Sequence, residues 1–315
     1  MSVVIRAMTE TDLPAASRVC RTAFGTFLGA PDIENFWADR DLVFGRFGNE
    51  HTAAFAAELD GEIVGSNFAT RWGSVGFFGP LSVRPDRQGR GVSKPLVAAV
   101  SDEFDRWGTR HNGLFTFAQS ALHVGLYGQF GFHARFLTAI MAAPAQQAGD
   151  PGQWSRYSAL SEDDRRALEA ACRDVTETLY EGLDLGAEIR TLAARGFGDT
   201  LLLWEGRPSR LAGFAVCHWG PTSEAGEGCC FVKFGAVRAG AGAEERFAAL
   251  LDAASSLAAS VGMPTLLAGV NLAREKAYRH MLARGFRTQI QGVTMHRPND
   301  WGYSRPDDYI LDDWR

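Results

Sequence analysis

The sequence has few lysines and cysteines and no long apolar run. Three of its 32 basic residues are lysines, and the formal net charge is −5. The chain as a whole therefore lacks the basic footprint that binds nucleic acid or an anionic membrane surface. Its five cysteines show no C-x-x-C spacing and no histidine partner at ligand spacing, and their number is odd. This argues against a zinc site, a redox motif or a disulfide framework, and we expect no metal.

Segments that would enter a membrane are also missing from the sequence. The opening residues, MSVVIRAMTE, contain no apolar signal core behind a basic start. No stretch approaches the roughly 18 consecutive apolar residues that a spanning helix needs. We therefore expect a cytoplasmic protein, a monomer or a homodimer, with no membrane or nucleic-acid partner.

What is present is the composition of an ordinary globular chain, 46% hydrophobic and 22% charged. Such a chain can build sizeable cores and is not mainly disordered. Its 315 residues are about twice the usual length of one domain, which predicts two domains. Residues 143–153 lack apolar periodicity and contain two prolines and two glycines. We therefore place a linker at 146–153, between domains at 1–145 and 154–315.

The first half alternates strand and helix patterns. Asp60-Gly61 lies between two apolar runs and is the strongest hairpin signal in the chain. A helix from Pro95 to Trp107 has one apolar face. The remaining patterns predict strands at 2–8, 53–59, 62–72, 76–84, 114–119 and 136–142, a helix at 9–20, and a short helix before the last strand.

The second half repeats this order of elements. A constant offset of 154 maps Val83 on Val237 and Gly131 on Gly285. LLAGVN at 266–271 corresponds to LFTFAQ at 114–119, but the offset there is two residues shorter than 154. This difference predicts a small insertion and deletion near 109–120. Agreement in the order of elements as well as in identities indicates a degenerate internal duplication.

The segment from Val83 to Leu96, VRPDRQGRGVSKPL, has the chemistry of an anion site. It joins a strand end to a helix start, where free amides and the helix dipole attract anions. Glycines at 89 and 91 would let the backbone approach a phosphate closely. An ordinary β–α connection is the alternative interpretation. The segment matches neither the Walker motif nor the dinucleotide-binding motif.

Two motifs together resemble a known family. V-x-P-x-x-Q-G-x-G at 83–91 resembles the acyl-CoA pyrophosphate loop of the GNAT-type N-acetyltransferases, and L-Y-x-x-x-G-F at 126–132 resembles their second signature. The resemblance covers residues 3–143 by motif and 154–298 by architecture. It implies an α/β (α+β) chain of two tandem GNAT-like domains. Each would have a mixed, mostly antiparallel sheet, splayed between its fourth and fifth strands and flanked by helices.

The resemblance also implies a reaction, the transfer of an acetyl group from acetyl-CoA to a primary amine by direct attack. The Val83 amide would stabilise the oxyanion, and Tyr127 would protonate the departing thiolate. A core aromatic is the alternative for Tyr127. Ser93 stands where the family usually has Gly or Ala. The residues implied to bind acetyl-CoA are Leu81, Val83, Gln88, Gly89, Arg90, Gly91, Val92, Ser93, Lys94 and Ser120.

The sequence leaves the general base and the acceptor open. The groups that could accept a proton from the amine are Glu34, Glu58, His123, Asp312 and Asp313, with structural or solvated roles as alternatives. The segment at 31–47 is rich in aromatics and acids. Its acids, Asp32, Glu34, Asp39 and Asp41, favour a cationic acceptor of polyamine or aminoglycoside type. An amphipathic helix with Phe36, Trp37 and Phe44 turned inward is the alternative.

The second copy has lost the residues that the chemistry needs. The offset of 154 places Ala243, Glu244 and Glu245 where the first half has Gly89, Arg90 and Gly91. Two carboxylates there would repel a pyrophosphate. Tyr127 maps on Met281, which has no proton to donate. We therefore expect an active first domain beside a retired second one, with a non-catalytic acyl-CoA sensor or assembly module, or an enzyme acting on protein amines, as alternatives.

Overall fold

The apolar runs of the sequence form one mixed sheet flanked by helices. The computed structural model describes residues 3–40, 42–147, 153–207, 209–221 and 223–315. The strands of the first half are β1 (Val4–Ala7), β2 (Thr52–Leu59), β3 (Glu62–Trp72), β4 (Val75–Phe78), β5 (Ser82–Val83), β6 (His111–Thr116) and β7 (His133–Pro144). Its helices are α1 (Leu13–Leu28), α2 (Leu42–Arg46), α3 (Ser93–Trp107) and α4 (Ala121–Gly128).

The second half has the same order of elements. Its strands are β8 (Gln153–Arg156), β9 (Gly198–Glu205), β10 (Arg210–His218), β11 (Cys229–Val237), β12 (Thr265–Asn271), β13 (Arg287–Arg297) and β14 (Ile310–Leu311). Its helices are α5 (Glu162–Glu177), α6 (Gly186–Arg195), α7 (Ala243–Ser260) and α8 (Glu275–Ala283). The mixed α/β architecture of two similar halves agrees with the predicted fold class.

The frame of the duplication runs unbroken through the second part of each half. Elements β6, α4 and β7 begin at residues 111, 121 and 133, and β12, α8 and β13 begin 154 residues later, at 265, 275 and 287. The predicted insertion and deletion near 109–120 is therefore wrong. The error arose because β6 starts at the polar pair His111-Asn112, which is buried, and apolar periodicity alone placed the strand three residues too late.

Local sequence signals explain several boundaries. Asp60 and Gly61 both have positive φ, 55° and 81°, and join β2 to β3. A two-residue hairpin turn with both residues at positive φ is the conformation that Asp-Gly favours, so this prediction is confirmed. Helix α3 buries Leu96, Val97 and Phe104 completely against the sheet, as expected of its apolar face.

The last long strands of the two halves lie in each other's sheets. The strand order is β1-β2-β3-β4-β6-β13-β7-β12-β11-β10-β9-β8. Strand β13 is antiparallel to both β6 and β7, and β7 is antiparallel to β12. Each half therefore completes the sheet of the other, and the two sheets are one continuous structure.

The predicted linker at 146–153 lies mostly outside the described residues, so the predicted domain boundaries stay predictions. In the part of the chain that is described, no helix is long and apolar enough to cross a membrane. The same residues contain no cluster of His, Cys, Asp or Glu that could hold a metal ion.

Candidate active site

The sheet of the first half opens between two neighbouring strands. β4 runs parallel to β6 from Val75 to Phe77, and the pairing then stops. The chain continues as β5, which pairs only with β3 on its other side. The Arg84 amide donates to the carbonyl of Val64 in β3 at 2.8 Å. Because successive amides of a strand point in opposite directions, the Val83 amide faces the open gap between β5 and β6.

The loop from β5 to α3 presents backbone donors beside this gap. Gly89 and Gly91 have φ values of 72° and 82°, a conformation that glycine adopts without strain. No side chain caps the N-terminus of α3, so its first amides remain available to a ligand. The Gln88 side chain donates to the Val83 carbonyl at 3.2 Å and ties the loop to the strand end.

A groove of about 700 Å³ gathers most of the predicted cofactor residues. The predicted residues that line it are Leu81, Val83, Gln88, Gly89, Gly91, Val92, Ser93, Lys94 and Tyr127. Two predicted residues are not among those that line it. Arg90 is exposed, and the Ser120 hydroxyl accepts from the His123 amide at 3.4 Å as the N-cap of α4.

Tyr127 lies at the inner end of this groove. Its side chain is 6% exposed, and its ring meets Phe78 edge-on at 5.5 Å between centroids. Burial raises the pKa of the Tyr127 phenol above its usual value, because the anionic form loses its hydration. The residue is therefore both a core aromatic and a phenol that stays protonated at neutral pH.

A second, smaller cavity of about 150 Å³ adjoins the groove. Both cavities are lined by Phe24, Leu81, Phe117, His123 and Tyr127. The smaller cavity is also lined by residues that the sequence did not single out for the first-half site: Arg40, Arg46, Phe115, Ile140, Glu224, Ile290, Trp314 and Arg315. Four of these belong to the second half, so this pocket is built by both halves of the chain.

Buried ion pairs join the halves behind the small cavity. The guanidinium of Arg46 holds both oxygens of Glu224, at 3.0 and 2.5 Å. Lys233 donates to Glu224 at 3.0 Å and pairs with Glu188 at the same distance. Burial alone would raise the pKa of Glu224, but Arg46 and Lys233 hold it far below its usual value. Glu224 is therefore a fixed anion, and it does not fit the role of a proton acceptor at neutral pH.

The five groups that could act as a base have different surroundings in the structure. Only one of them, His123, lines the cavities described here, and it is one helical turn from Tyr127. Burial lowers the pKa of His123, so its ring is neutral at pH 7 and can accept a proton. The carboxylate of Glu58 pairs with Arg6, that of Asp312 pairs with Arg274, Asp313 pairs with Arg315 and Glu34 is exposed.

The three described acids among those that favoured a cationic acceptor do not line the small cavity. Asp39 accepts from Arg40 at 3.0 Å and from the Glu227 amide at 3.0 Å. Asp32 is exposed and accepts from Asn35, and Asp41 lies outside the described residues. Trp37 does face the cavity, whereas Phe44 is 38% exposed. The expected amphipathic helix is reduced to the five residues of α2.

The corresponding cleft of the second half lacks the phosphate loop. Between the strand end and the helix start there are nine residues in the first half, at 84–92, and five in the second, at 238–242. Helix α7 begins one turn early in the frame of the duplication, and its added turn carries Glu244 and Glu245. Carboxylates at a helix N-terminus stabilise the helix and leave no cradle for another anion.

The C-terminal segment fills this second cleft. Strand β14 pairs antiparallel with β11 at Gly235 and Ala236, positions that correspond to Leu81 and Ser82 beside the gap in the first half. The Tyr309 hydroxyl donates to Glu244 at 3.3 Å at the start of α7. The chain then continues to Trp314 and Arg315 in the small cavity of the first half.

Buried polar contacts hold the end of this segment in place. Arg274 pairs with Asp312 at 2.7 Å and donates to the Ile310 carbonyl at 3.0 Å. The Trp314 ring donates to the Tyr303 hydroxyl at 2.6 Å. Trp314 lies so close to Gly113 in β6 that a Cβ there would stand 2.0 Å from its ring. The absence of a side chain at position 113 is therefore what admits the tryptophan.

Comparisons with known proteins agree with this geometry. The profile of the acetyltransferase (GNAT) family matches residues 18–132, the span that contains both motifs and the groove. No curated protein sequence matches the chain.

Solved structures resemble the chain over nearly its whole length. A candidate acetyltransferase from Pyrococcus horikoshii has a TM-score of 0.66 at 12% identity, covering 98% of this chain and 93% of its own. A GCN5-related N-acetyltransferase from Sphaerobacter thermophilus has a TM-score of 0.62 at 17% identity, covering 94% and 95%. A tandem GNAT protein from the clavulanic acid biosynthesis pathway has a TM-score of 0.58 at 13% identity, covering 94% and 98%. Residues 18–132 thus match the acetyltransferase (GNAT) family, and the chain as a whole shares the fold of these solved structures, among them a tandem GNAT protein.

Proposed function

We propose that the chain transfers the acetyl group of acetyl-CoA to a primary amine, and that the first half carries the reaction. The observation that carries this proposal is the meeting of two cavities at Tyr127. One cavity has the dimensions and backbone donors for an extended anionic cofactor, and the other is a small pocket beside it. Such a pair suits a reaction in which two substrates are bound at once.

The groove offers acetyl-CoA a place for each of its parts. The amides of Gln88 to Ser93 and the dipole of α3 would hold the pyrophosphate, with Lys94 adding a positive charge. The pantetheine arm would extend through the gap between β5 and β6 and pair with β5 as a further strand. The thioester oxygen would then reach the Val83 amide, which would donate a hydrogen bond to the developing oxyanion.

The reaction needs no covalent enzyme intermediate. The amine nitrogen attacks the thioester carbonyl carbon, forming a C–N bond, and the tetrahedral intermediate breaks its C–S bond. Tyr127 donates its proton to the departing thiolate, a role that its raised pKa permits. The attacking nitrogen loses a proton to His123, directly or through water, and solvent later restores both groups.

Three features support an inactive second half. The loop that would hold a pyrophosphate is replaced by a helical turn with two glutamates. Met281 stands at the position of Tyr127, fully buried. Strand β14 takes the place along β11 that a pantetheine arm would need. The tandem arrangement would then serve to build the acceptor pocket of the first half.

The size of the pocket favours a small molecule over a protein acceptor. A cavity of about 150 Å³ holds a group no larger than an amino acid or a small aromatic amine. Residues from both halves surround it, including Trp37, Trp314 and Arg315. A peptide or protein acceptor would need an open groove through these side chains.

The decisive experiment is amine-dependent release of the CoA thiol, measured over a library of primary amines. The unmodified protein should release thiol with at least one amine. Tyr127→Phe should lower kcat by about 10²- to 10³-fold and leave the KM for acetyl-CoA within about threefold. Calorimetry on the same samples measures acetyl-CoA binding.

Each other outcome separates the alternatives. Acetyl-CoA binding without transfer to any amine, and with no effect of Tyr127→Phe, would indicate the non-catalytic sensor or assembly module. The absence of acetyl-CoA binding would reject both. Transfer that is unchanged in Tyr127→Phe would remove the phenol from the mechanism.

A further inference from the structure

The charged groups around the acceptor pocket are mostly cationic. Three guanidiniums, those of Arg40, Arg46 and Arg315, line it, and Glu224 is the one carboxylate among the described lining residues. Both oxygens of Glu224 are already held, by Arg46 and Lys233. This carboxylate therefore has little capacity left to bind an acceptor's ammonium group.

Arg315 is the least neutralised of the three guanidiniums. Burial lowers its pKa, the carboxylates of Asp313 and Glu224 oppose that effect, and the nearby cations Arg40 and Arg46 add to it. Its ion pair is with Asp313, at 3.2 Å, and its guanidinium lies 4.0 Å from the centre of the Phe231 ring. Its Nη2 is buried and has no hydrogen-bond partner within the described part of the chain.

A buried donor without a partner costs free energy unless a ligand satisfies it. The guanidinium presents parallel donors that match a carboxylate or phosphate in a bidentate manner. Asp39, a described acid of the segment that precedes α2, is held by Arg40 and by the Glu227 amide. Among the described lining residues, the pocket thus has an unused cationic donor and no free carboxylate to compete for it.

The rest of the wall is apolar and mainly aromatic. It includes Phe24, Trp37, Phe115, Phe117, Ile290 and Trp314. The wall therefore fits a hydrocarbon or aromatic body, and the end shared with the cofactor groove is where Tyr127 and His123 lie. An amine must occupy that end for transfer to occur.

We propose that the acceptor is a small amine that also carries an anionic group, with its amine at Tyr127, its apolar body against the aromatic wall and its carboxylate or phosphate at Arg315 and Arg40. This inference rests on the proposed acetyl transfer. It replaces the cationic acceptor that the acids of the sequence favoured. The choice of acceptor would then depend on Arg315, which belongs to the C-terminal segment that also supplies β14 to the second cleft.

The test compares acceptors that differ only in the anionic group. Benzylamine is paired with 4-(aminomethyl)benzoate and with 4-(aminomethyl)phenyl phosphate, and phenethylamine with 4-(2-aminoethyl)benzoate. Thiol release at saturating acetyl-CoA gives kcat/KM for each. An anionic member of at least one pair should exceed its uncharged partner by about tenfold or more, and the better anion identifies carboxylate or phosphate.

Variants locate the anionic subsite. Arg315→Gln should lower the ratio of anionic to uncharged kcat/KM by about tenfold, and Arg40→Gln should lower it by a smaller factor. Arg305→Gln, in the same segment but exposed, is the matched control and should keep the ratio. Thermal unfolding checks that each variant is folded, and Arg40→Gln keeps the test valid if Arg315→Gln is not.

A binding measurement keeps this inference separate from the proposed function. With CoA present, 4-methylbenzoate or 4-methylphenyl phosphate should bind by calorimetry, and Arg315→Gln should weaken that binding about tenfold or more. This result would support the anionic subsite even if no amine were acetylated, a failure that would count against the proposed function alone. Preference for uncharged or cationic amines with acetyl transfer intact, or no binding of either anion, would overturn the inference.

Discussion

The two halves of the chain share a fold and differ in what fills the same cleft. In the first half, the gap beside β5 opens into a groove with a glycine loop and a phenol at its end. In the second half, strand β14 pairs along the gap, two glutamates begin the helix, and a methionine replaces the phenol. In the second half, the protein's own chain thus occupies the place that corresponds to the proposed cofactor cleft of the first half. Each of the following substitutions makes the first half more like the second or removes a feature in which the two halves differ.

The largest effect should come from giving the first half the charge of the second. Gly91→Glu puts a carboxylate where the pyrophosphate would bind. We expect the Kd for acetyl-CoA to rise about 10²- to 10³-fold, because like charges at about 5 Å repel strongly even near a surface. Calorimetry measures this directly.

Gly91→Gln is the matched control for that change, since φ at this position is 82° and any side chain is strained there. Its Kd should rise by about tenfold, from backbone strain alone. Equal binding by the two variants would show that charge does not distinguish the clefts. Acetyl-CoA binding that survives Gly91→Glu would contradict the assignment of the loop.

The next effect concerns His123, the proposed proton acceptor, whose position in the second half is taken by Ala277 in the frame of the duplication. His123→Gln should lower kcat by about 10²-fold, whereas His133→Gln, a surface change on the next strand, should have little effect. The acidic limb of the pH profile should have its midpoint below the ordinary histidine value of about 6.5. The reason is that burial lowers the pKa of His123, so the ring stays neutral until the pH falls through that lowered value.

Dividing kcat/KM of the unmodified protein by that of His123→Gln at each pH isolates the titration of His123, because the ionisation of the acceptor amine cancels. The ratio should fall below the midpoint and be constant above it. A ratio that is independent of pH would assign the proton to solvent or to another residue.

A smaller effect should follow from weakening the packing of β14 in the second cleft. Leu311→Ala removes a fully buried side chain of β14 and should lower the free energy of unfolding by about 2–4 kcal/mol. Leu282→Ala is the control, because Leu282 is 39% exposed and should cost less than about 1 kcal/mol. Denaturant unfolding measures both.

The same variant has a kinetic signature. The KM for the acceptor should rise several-fold, because β14 positions Trp314 and Arg315, and the Kd for acetyl-CoA should stay the same. A change in acetyl-CoA binding without a change in the acceptor's KM would show that the segment serves the cofactor site instead.

The smallest effect should come from Tyr278, the tyrosine of α8. Tyr278 lies one turn before the position of Tyr127 in the frame of the duplication. Tyr278→Phe should change kcat and the KM values by less than about twofold, measured by thiol release. A loss comparable to that of Tyr127→Phe would show that the second cleft takes part in catalysis.

Much of this architecture was predictable from short-range signals. The Asp60-Gly61 hairpin, the apolar face of α3, the glycine loop and the repeat frame all depend on residues that are close in sequence. The groove brings nine predicted residues together for the same reason, since the loop, the strand end and α4 are adjacent elements of one half. The exception, the start of β6, failed because His111 and Asn112 are polar residues buried by contacts from far along the chain.

The acceptor pocket was not predictable because its walls come from distant parts of the chain. Arg46 meets Glu224, 178 residues away, and Trp314 packs on Gly113 in β6. No local pattern marks such pairs. The acids at 32–41 illustrate the same limit, since their composition is visible in the sequence but their hydrogen-bond partners, such as the Glu227 amide that Asp39 accepts from, are not.

The exchange of β7 and β13 determines when the working site can exist during synthesis. The edge of β6 pairs with β13, which ends at Arg297, so a ribosome must deliver the chain through β13 before that edge is covered. Until then the first half exposes an unpaired strand, the kind of surface that associates with other chains. Closing it requires contacts between residues more than 150 positions apart, which slows folding. Acetyl transfer would therefore be the last property that the newly made protein acquires, and its rate of appearance would report when the second half has folded.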